Sequence, residues 1–398
     1  MKKNFNVFIL MFIVLLLVFK INLLSSSSQN NEEKIIFTPF YSSIGDDYLE
    51  QGKYEEAIQA FEKVIQEDPE DPYVYIQIGI CKGQLGLYRE AIEYHKKAID
   101  LLDLSSVLNE RVYSAPYSAL GLCYFMLQEY KESIEYINKV IELEKDSISI
   151  IEYKFLGHCY YNLENYSEAI KAYRKYLNRE PNDISVLDSL LDCYNYTENW
   201  LEAIDYTNIL LKLEPENYRL YYNIGIYYCR IEEYIKAISS FNQAIRIKPD
   251  DIKAYSRKCE IYLLLERYTP AVEVCEKALK IEPENIKLYL MLGRALIGRK
   301  SYHEAINVIV DAIKIDPDCS EAYEIWGKSC LLLEDYLNGK NLLEKSIQLN
   351  KNNANAHYLL GICYKYENKH DLAVNEYKIL QEIDKNLADK LFEFIFKK

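Results

Sequence analysis

The chain has 398 residues, too many for one ordinary core unless that core is extended or repeated. Its 49% hydrophobic content excludes a disordered chain, and a net charge of −14 argues against a nucleic-acid binder, which needs a concentrated cationic face to displace counterions. Only 10 Pro and 13 Gly leave little material for loops, so helices joined by short turns are expected, and the 38 Tyr call for a structural explanation.

The first element is "MKKNFNVFILMFIVLLLVFKINLLSSSSQNNEEK". Lys2 and Lys3 precede an unbroken apolar run from Val7 to Phe19, and Lys20 follows it. A helix over that run spans about 20 Å, short of the ~30 Å hydrocarbon core. That length suits the apolar region of a secretory signal, with Ser25–Ser28 supplying small residues for cleavage. Counted from Phe5 to Leu24 the segment makes roughly a full span, with Lys20 reaching towards the headgroups. Two readings therefore stand for residues 1–24, an uncleaved transmembrane anchor or a cleaved signal, followed by a polar linker over 25–37. In both, Lys2 and Lys3 outweigh Lys20 and place the remainder outside the cytosol, membrane-anchored in the first case and secreted or periplasmic in the second.

From residue 38 the chain repeats itself. Gly45, Gly79, Gly121, Gly157, Gly225, Gly293, Gly327 and Gly361 recur in one register, with Leu191 and Cys259 filling two gaps. The interval is 34 residues, as from Gly45 to Gly79, apart from about eight extra before Gly121 and two before Gly157. Nine residues after each stands an aromatic (Tyr54, Tyr88, Tyr130, Tyr166, Trp200, Tyr234, Tyr268, Tyr302, Tyr336), with His370 in the last unit. Twelve after comes a small residue (Ala57, Ala91, Ser133, Ala169, Ala203, Ala237, Ala271, Ala305, Gly339, Ala373). Pro69, Pro181, Pro215, Pro249, Pro283 and Pro317 close six units. Each unit holds two stretches of about a dozen residues with apolar matches at i, i+3, i+4 and i+7, which predicts two amphipathic helices. The Gly on the first and the small residue on the second let the helix axes approach, the aromatic plugs the end of the pair, and Pro stops the second helix. Much of the Tyr excess is absorbed by core and plug positions.

This pattern resembles the tetratricopeptide repeat (TPR) family. The resemblance covers ten units at 38–71, 72–105, 114–147, 150–183, 184–217, 218–251, 252–285, 286–319, 320–353 and 354–387. It implies an all-α fold, a TPR α-solenoid in which antiparallel helix pairs form a right-handed superhelix and the first helices line a concave groove. The insertion "LSSVLNERV" at 104–112 is expected to lengthen the second helix of unit two. "ADKLFEFIFKK" at 388–398 reads as a C-terminal capping helix over the last repeat's apolar face.

No catalytic constellation emerges. "GKS" at 327–329 resembles a phosphate loop, but Ala322 stands where its Gly belongs and the stretch lies within a helix. "HEAIN" at 303–307 lacks the second His of a zinc-protease helix. His95, His158, His303, His357 and His370 fall in different units with no ligand spacing, and surface or turn positions are expected for them. No catalytic residue, metal ligand or cofactor site is assigned. Cys81, Cys123, Cys159, Cys193 and Cys363 all stand two residues after the Gly register, where a small buried hydrophobe belongs. Cys259 and Cys275, on facing helices of one unit, are the one pair suited to a disulfide test.

The family's groove positions map here onto an apolar, Tyr-rich stretch: Tyr73, Ile76, Ile80, Leu122, Phe125, Met126, Tyr161, Tyr196, Tyr222 and Ile226. Arg219, Lys253, Arg257, Lys287, Arg294 and Lys328 make a cationic stretch, with Glu260, Glu321 and Glu324 interleaved. The Lys–Asn clamp of the chaperone-binding members is broken, since His158 follows Lys154 where Asn belongs and Ser189 replaces the next Asn. An Asn ladder like that of the sugar-transferase arrays is also missing, with Asn223 alone in register. The expected function is a non-catalytic scaffold that binds an unidentified protein or peptide in the groove, with neither nucleic acid nor a small-molecule substrate as partner. The alternative is an accessory subunit of an enzyme, secretion or assembly system whose catalytic chain is separate.

Overall fold

A computed structural model describes residues 39–104, 110–144 and 150–396, and among these every regular element is an α-helix. Two compact units divide at Glu202/Ala203. The first holds α1 (Pro39–Glu50), α2 (Tyr54–Glu67), α3 (Pro72–Gln84), α4 (Tyr88–Leu104), α5 (Glu110–Met126), α6 (Tyr130–Glu144), α7 (Ile151–Asn162), α8 (Tyr166–Leu177) and α9 (Ile184–Tyr196). The division falls within α10 (Trp200–Leu213). The second unit continues with α11 (Tyr218–Arg230), α12 (Tyr234–Ile247), α13 (Ile252–Leu264), α14 (Tyr268–Ile281), α15 (Ile286–Gly298), α16 (Tyr302–Ile315), α17 (Ser320–Leu332), α18 (Tyr336–Leu349), α19 (Ala354–Tyr366), α20 (His370–Ile383) and α21 (Lys385–Phe396). The expected anchor or signal and its linker lie outside the described residues. Among the described residues no helix is long and apolar enough to cross a membrane.

One turn joins the helices of every pair. Gly52, Gly86, Gln128, Glu164, Glu198, Glu232, Glu266, Lys300, Glu334 and Asn368 all take positive φ, between 54° and 78°. The amide after each bonds back to a carbonyl five residues earlier, as in Lys53 N to Tyr48 O at 2.9 Å and Asn165 N to Tyr160 O at 2.9 Å. This is the Schellman closure, which satisfies carbonyls that the helix end would leave without donors. Only the first two turns use the residue that takes this conformation without strain.

The glycine register is explained by what faces it. A Cβ on Gly45 would stand 2.5 Å from Phe61, on Gly225 2.6 Å from Phe241, and on Gly293 2.7 Å from Ile309, far inside van der Waals contact. In every unit before the last the residue facing this glycine lies sixteen positions later, so a large side chain of the second helix occupies the space a first-helix side chain would fill. In sequence the sizes compensate where glycine is lost: Thr207 stands sixteen after Leu191, and Cys275 sixteen after Cys259. At the end of the array Leu391 of α21 covers Gly361, so the capping helix supplies the large residue itself. Ala388, Leu391 and Ile395 form the buried stripe of that helix, and Phe392, Phe394 and Phe396 remain exposed.

Two expectations need correction. The insertion does not lengthen α4 alone: α4 ends at Leu104, and α5 begins as early as Glu110, which leaves Pro116 inside a helix. Residues 105–109 lie outside the described residues. His95 and His357 are core residues, 1% and 4% exposed, rather than surface or turn residues. His95 occupies the slot over Gly79 that Phe61 and Phe241 fill elsewhere, and burial pushes its pKa down to about 3, so it packs as a neutral ring. His158 is largely enclosed as well, whereas His303 and His370 are exposed. The thiols two residues after the glycine register are buried, and burial pushes Cys81, Cys123, Cys193 and Cys363 up to about 12 and Cys159 to about 11.

Candidate functional site

Within each unit the first helices of successive pairs touch one another: α3, α5, α7 and α9 in the first, and α13, α15, α17 and α19 in the second. They therefore share one face per unit.

In the first unit, Tyr73 is held at the start of α3, where Asp71 caps the helix by accepting from the Tyr73 amide at 2.9 Å. The Tyr73 hydroxyl donates to Asp46 Oδ1 at 2.8 Å. Burial pushes the Asp46 carboxyl up to about 6 despite that bond, and burial beside Asp46 pushes the Tyr73 phenol well above its ordinary range. Ile76 and Ile80 do not line the face. Each is 4% exposed within the cluster of Phe61, Val64, Val74 and Ile78, so they support the face from beneath. Leu122 and Phe125 are half-buried, with Phe125 edge-on to Phe155 at 5.4 Å and to Tyr130 at 5.8 Å, and Met126 is partly exposed. The most open aromatic is Tyr196, 63% exposed, which stacks on Tyr166 with ring centroids 4.4 Å apart. Tyr161 meets Tyr166 edge-on at 5.8 Å and donates to Asp192 Oδ2 at 3.3 Å. Burial and Asp192 push the Tyr161 phenol up to about 12, so it remains a neutral donor.

Sequence reasoning placed Tyr166 at a plug position and overlooked Asp192. The first-helix register after Leu191 was sufficient to find Asp192. Lys154, in the position of the family's clamp lysine, is committed elsewhere: its Nζ lies 2.6 Å from Asp183 Oδ2, which also accepts from the Tyr176 hydroxyl at 2.8 Å. Although burial works against it, this pair of donors holds the Asp183 carboxyl below the usual carboxylate range. His158 Nδ1 lies 2.8 Å from the Tyr173 hydroxyl, and burial together with Lys154 pushes its pKa down to about 4.

In the second unit, Tyr222 and Ile226 are half-buried against the cluster around Phe241, Ala254 and Ile261. The six cations are all exposed, though not all unpaired. Glu260 Oε2 takes Arg257 at 2.9 Å and Glu260 Oε1 takes Lys287 at 2.7 Å, while Glu321 takes Arg294 at 2.7 Å. Two of these pairs link successive first helices. Exposed pairs contribute about 0–1 kcal/mol, so they are readily exchanged for a better anion. Glu324 is buried, and its carboxyl is raised by that burial against the opposing pull of Arg294 and Asn353. Lys253 and Lys328 are exposed, and Arg219 lies against Tyr218.

Tandem helical hairpins, closed by one turn and packed through a small residue against a large one, define a helical-repeat protein that presents first helices on one face within each unit. Sequence models of the tetratricopeptide repeat match residues 45–86, 72–101, 115–147, 151–183, 218–251 and 262–325. The chain belongs to the tetratricopeptide repeat family. No curated protein matches it by sequence. Among solved structures it is similar to Naa15/Naa10 bound to HypK-THB, at 12% identity and a TM-score of 0.52, covering 89% of this chain and 65% of that one. It also matches yeast Tom70 (14% identity, TM-score 0.39, covering 89% and 94%). YrrB, described as a TPR protein with an unusual peptide-binding site, matches at 23% identity and a TM-score of 0.41, covering 50% and 96%.

Proposed function

We propose that this chain is a non-catalytic scaffold whose first-helix face captures a segment of another protein. The N-terminal segment either anchors it in a membrane or directs its export, with the repeats outside the cytosol. The observation that carries the reading is the Tyr161–Tyr166–Tyr196 cluster, in which a stacked aromatic ring stays 63% exposed at the end of a first helix. A rigid aromatic that gains area on docking has the character of an interface anchor, which commonly contributes more than about 1 kcal/mol. The cations of the second unit supply steering for an acidic segment.

A photo-crosslinking side chain placed at Tyr196 or Lys328 tests this, with Lys171 on the second helix α8 as the reference position. Capture of one discrete partner from Tyr196 and Lys328, and not from Lys171, is the expected result. Equal or stronger capture from Lys171 rejects the first-helix face. A reporter fused after Lys398 checks the topology: activity outside the cytosol is expected, and activity inside it overturns the proposed orientation.

A further inference from the structure

We propose that Cys259 and Cys275 form an oxidative modification site, a disulfide that fastens α13 to α14 within one hairpin. The proposal goes beyond the scaffold reading and stands whichever face captures a partner.

Position comes first. Cys259 occupies the glycine register of its unit, and Cys275 lies sixteen residues later, at the position that faces the register across the pair. Of the ten register pairs in the chain, this one alone has sulfur on both helices. Where the register is glycine, a Cβ built on it falls 2.9 Å from Ile137 Cγ1 at Gly121, 3.0 Å from Ile309 Cγ1 at Gly293 and 2.8 Å from Leu343 Cγ at Gly327. In a disulfide each Cβ stands about 3 Å from the opposite sulfur, which is the γ atom of cysteine. A separation too close for unbonded carbon is thus the one a sulfur–sulfur bond requires. Helix axes about 8–10 Å apart, with Cα atoms about 2.3 Å from each axis, leave facing Cα atoms roughly 3.4–5.4 Å apart, which overlaps the disulfide range of about 4.4–6.8 Å.

The Cys259 thiol is turned towards α14. Its Sγ lies 3.8 Å from Ala271 O, a carbonyl one helical turn before Cys275. Both cysteines are fully buried in one cluster with Ala271, Val272 and Val274, and both are free thiols in the structure. A hydrogen bond with Cys259, and after it burial, pushes the Cys275 thiol well above its ordinary range. Enclosed, protonated thiols are poor nucleophiles, so the bond is made while the hairpin is open.

The oxidant is a small dialkyl disulfide. One cysteine, as its thiolate, attacks it, forms a mixed disulfide and expels one small thiolate; the other cysteine then attacks the protein sulfur of that mixed disulfide and expels the second. One S–S bond is broken and one is formed. Two electrons pass from the protein to the oxidant, and the two cysteine protons end on the two small thiols. The new bond closes the loop 259–275 around the turn at Glu266, whose φ is 54°. It stabilises the hairpin by removing freedom from the unfolded chain.

The test refolds the full chain from urea and reductant into buffer containing oxidised glutathione, then alkylates it in denaturant and maps the peptides by mass. A peptide pair joined through Cys259 and Cys275, about 2 Da lighter than the two free peptides, is expected. Amide exchange of α13 and α14 in the oxidised protein should be about a hundredfold slower than in the same protein reduced with dithiothreitol, as closure of a loop of this length predicts. The same oxidant added to the already folded chain should form the bond more slowly than during refolding, at the rate at which the hairpin opens. Recovery of both cysteines alkylated, of either joined to a third cysteine, or of both as mixed disulfides with glutathione overturns the proposal. So does exchange that oxidation fails to slow, or a bond that forms as fast in the folded chain.

Discussion

Replacement of Gly225 by Ala isolates the contact on which every helix pair is built. The new methyl would sit 2.6 Å from Phe241 Cε1, 2.8 Å from Cζ and 2.9 Å from Cδ1. Carbon atoms rest at about 3.5–4.0 Å, so ring and methyl must separate by roughly 1 Å. Phe241 has nowhere to go: it is fully buried, and its cluster contains Ala237, Ile238, Ala244, Ala254 and Ile261. Overpacking of that kind costs about 1–3 kcal/mol, against a gain of about 1 kcal/mol from replacing Gly by Ala inside a helix. The net expectation is a destabilisation of about 1 kcal/mol. Gly83 provides the opposite sign in the same protein, since a Cβ there meets nothing within 4 Å, and Gly83→Ala should stabilise by about 0.5–1 kcal/mol. Pairing Gly225→Ala with Phe241→Leu should recover part of the loss, a coupling of the kind residues in contact show. Urea unfolding followed by circular dichroism at 222 nm, with amide exchange of α11 and α12 as the local readout, measures all four proteins. Equal stabilisation by Gly225→Ala and Gly83→Ala would refute the reasoning.

Further outcomes are expected. Gly at the left-handed turn positions Glu232, Glu266 and Glu334 should raise the unfolding midpoint, each by about 1 kcal/mol, because those side chains now occupy a region that disfavours a Cβ; a lowered midpoint would show that the side chains stabilise the turns. His357 has acceptors at both ring nitrogens, Glu376 Oε2 at 2.6 Å from Nδ1 and Lys351 O at 2.9 Å from Nε2, so both must donate and the imidazolium is the form that fits. Burial alone would lower its pKa, yet these acceptors raise it above 6.5. Its contribution is therefore fully present below pH 6.5, the unfolded value, and is lost as pH rises through the higher folded value. Amide exchange in α19 and α20 should accelerate across that window in the native protein and not in His357→Gln; identical profiles would count against the assignment. The buried, high-pKa thiols Cys81, Cys123, Cys193 and Cys363 should alkylate slowly in native protein and fully in denaturant, and rapid native labelling would place them at the surface.

The recurrence of Gly, aromatic, small residue and Pro made the helix pairs legible because each marks a backbone event with its own steric cause. The faces were harder to read. Ile76 and Ile80 share the spacing of true surface positions such as Asp192, and a register count alone does not separate the side of a helix that meets the neighbouring pair from the side left open. His95 was misread by residue type, although its place sixteen residues after Gly79 was the clue that it stands in for a Phe. The insertion at 104–112 carried no periodicity that would divide it between α4 and α5.

The small-on-large contact has a consequence for how such an array finds its own register. A chain of near-identical hairpins risks pairing a helix with the wrong neighbour, a characteristic failure of repeat proteins. Here the fit differs from one hairpin to the next. Phe241 needs the notch of Gly225 and would collide with the thiol of Cys259; Cys275 placed over Gly225 would leave a void where a ring should be; His95 over Gly293 would bury a polar ring against Ile325. Adjacent hairpins thus carry different pairs, although Gly with Phe recurs at Gly45/Phe61 and Gly225/Phe241 and Gly with Ile at Gly121/Ile137 and Gly293/Ile309, so a slip by one unit meets a poor fit.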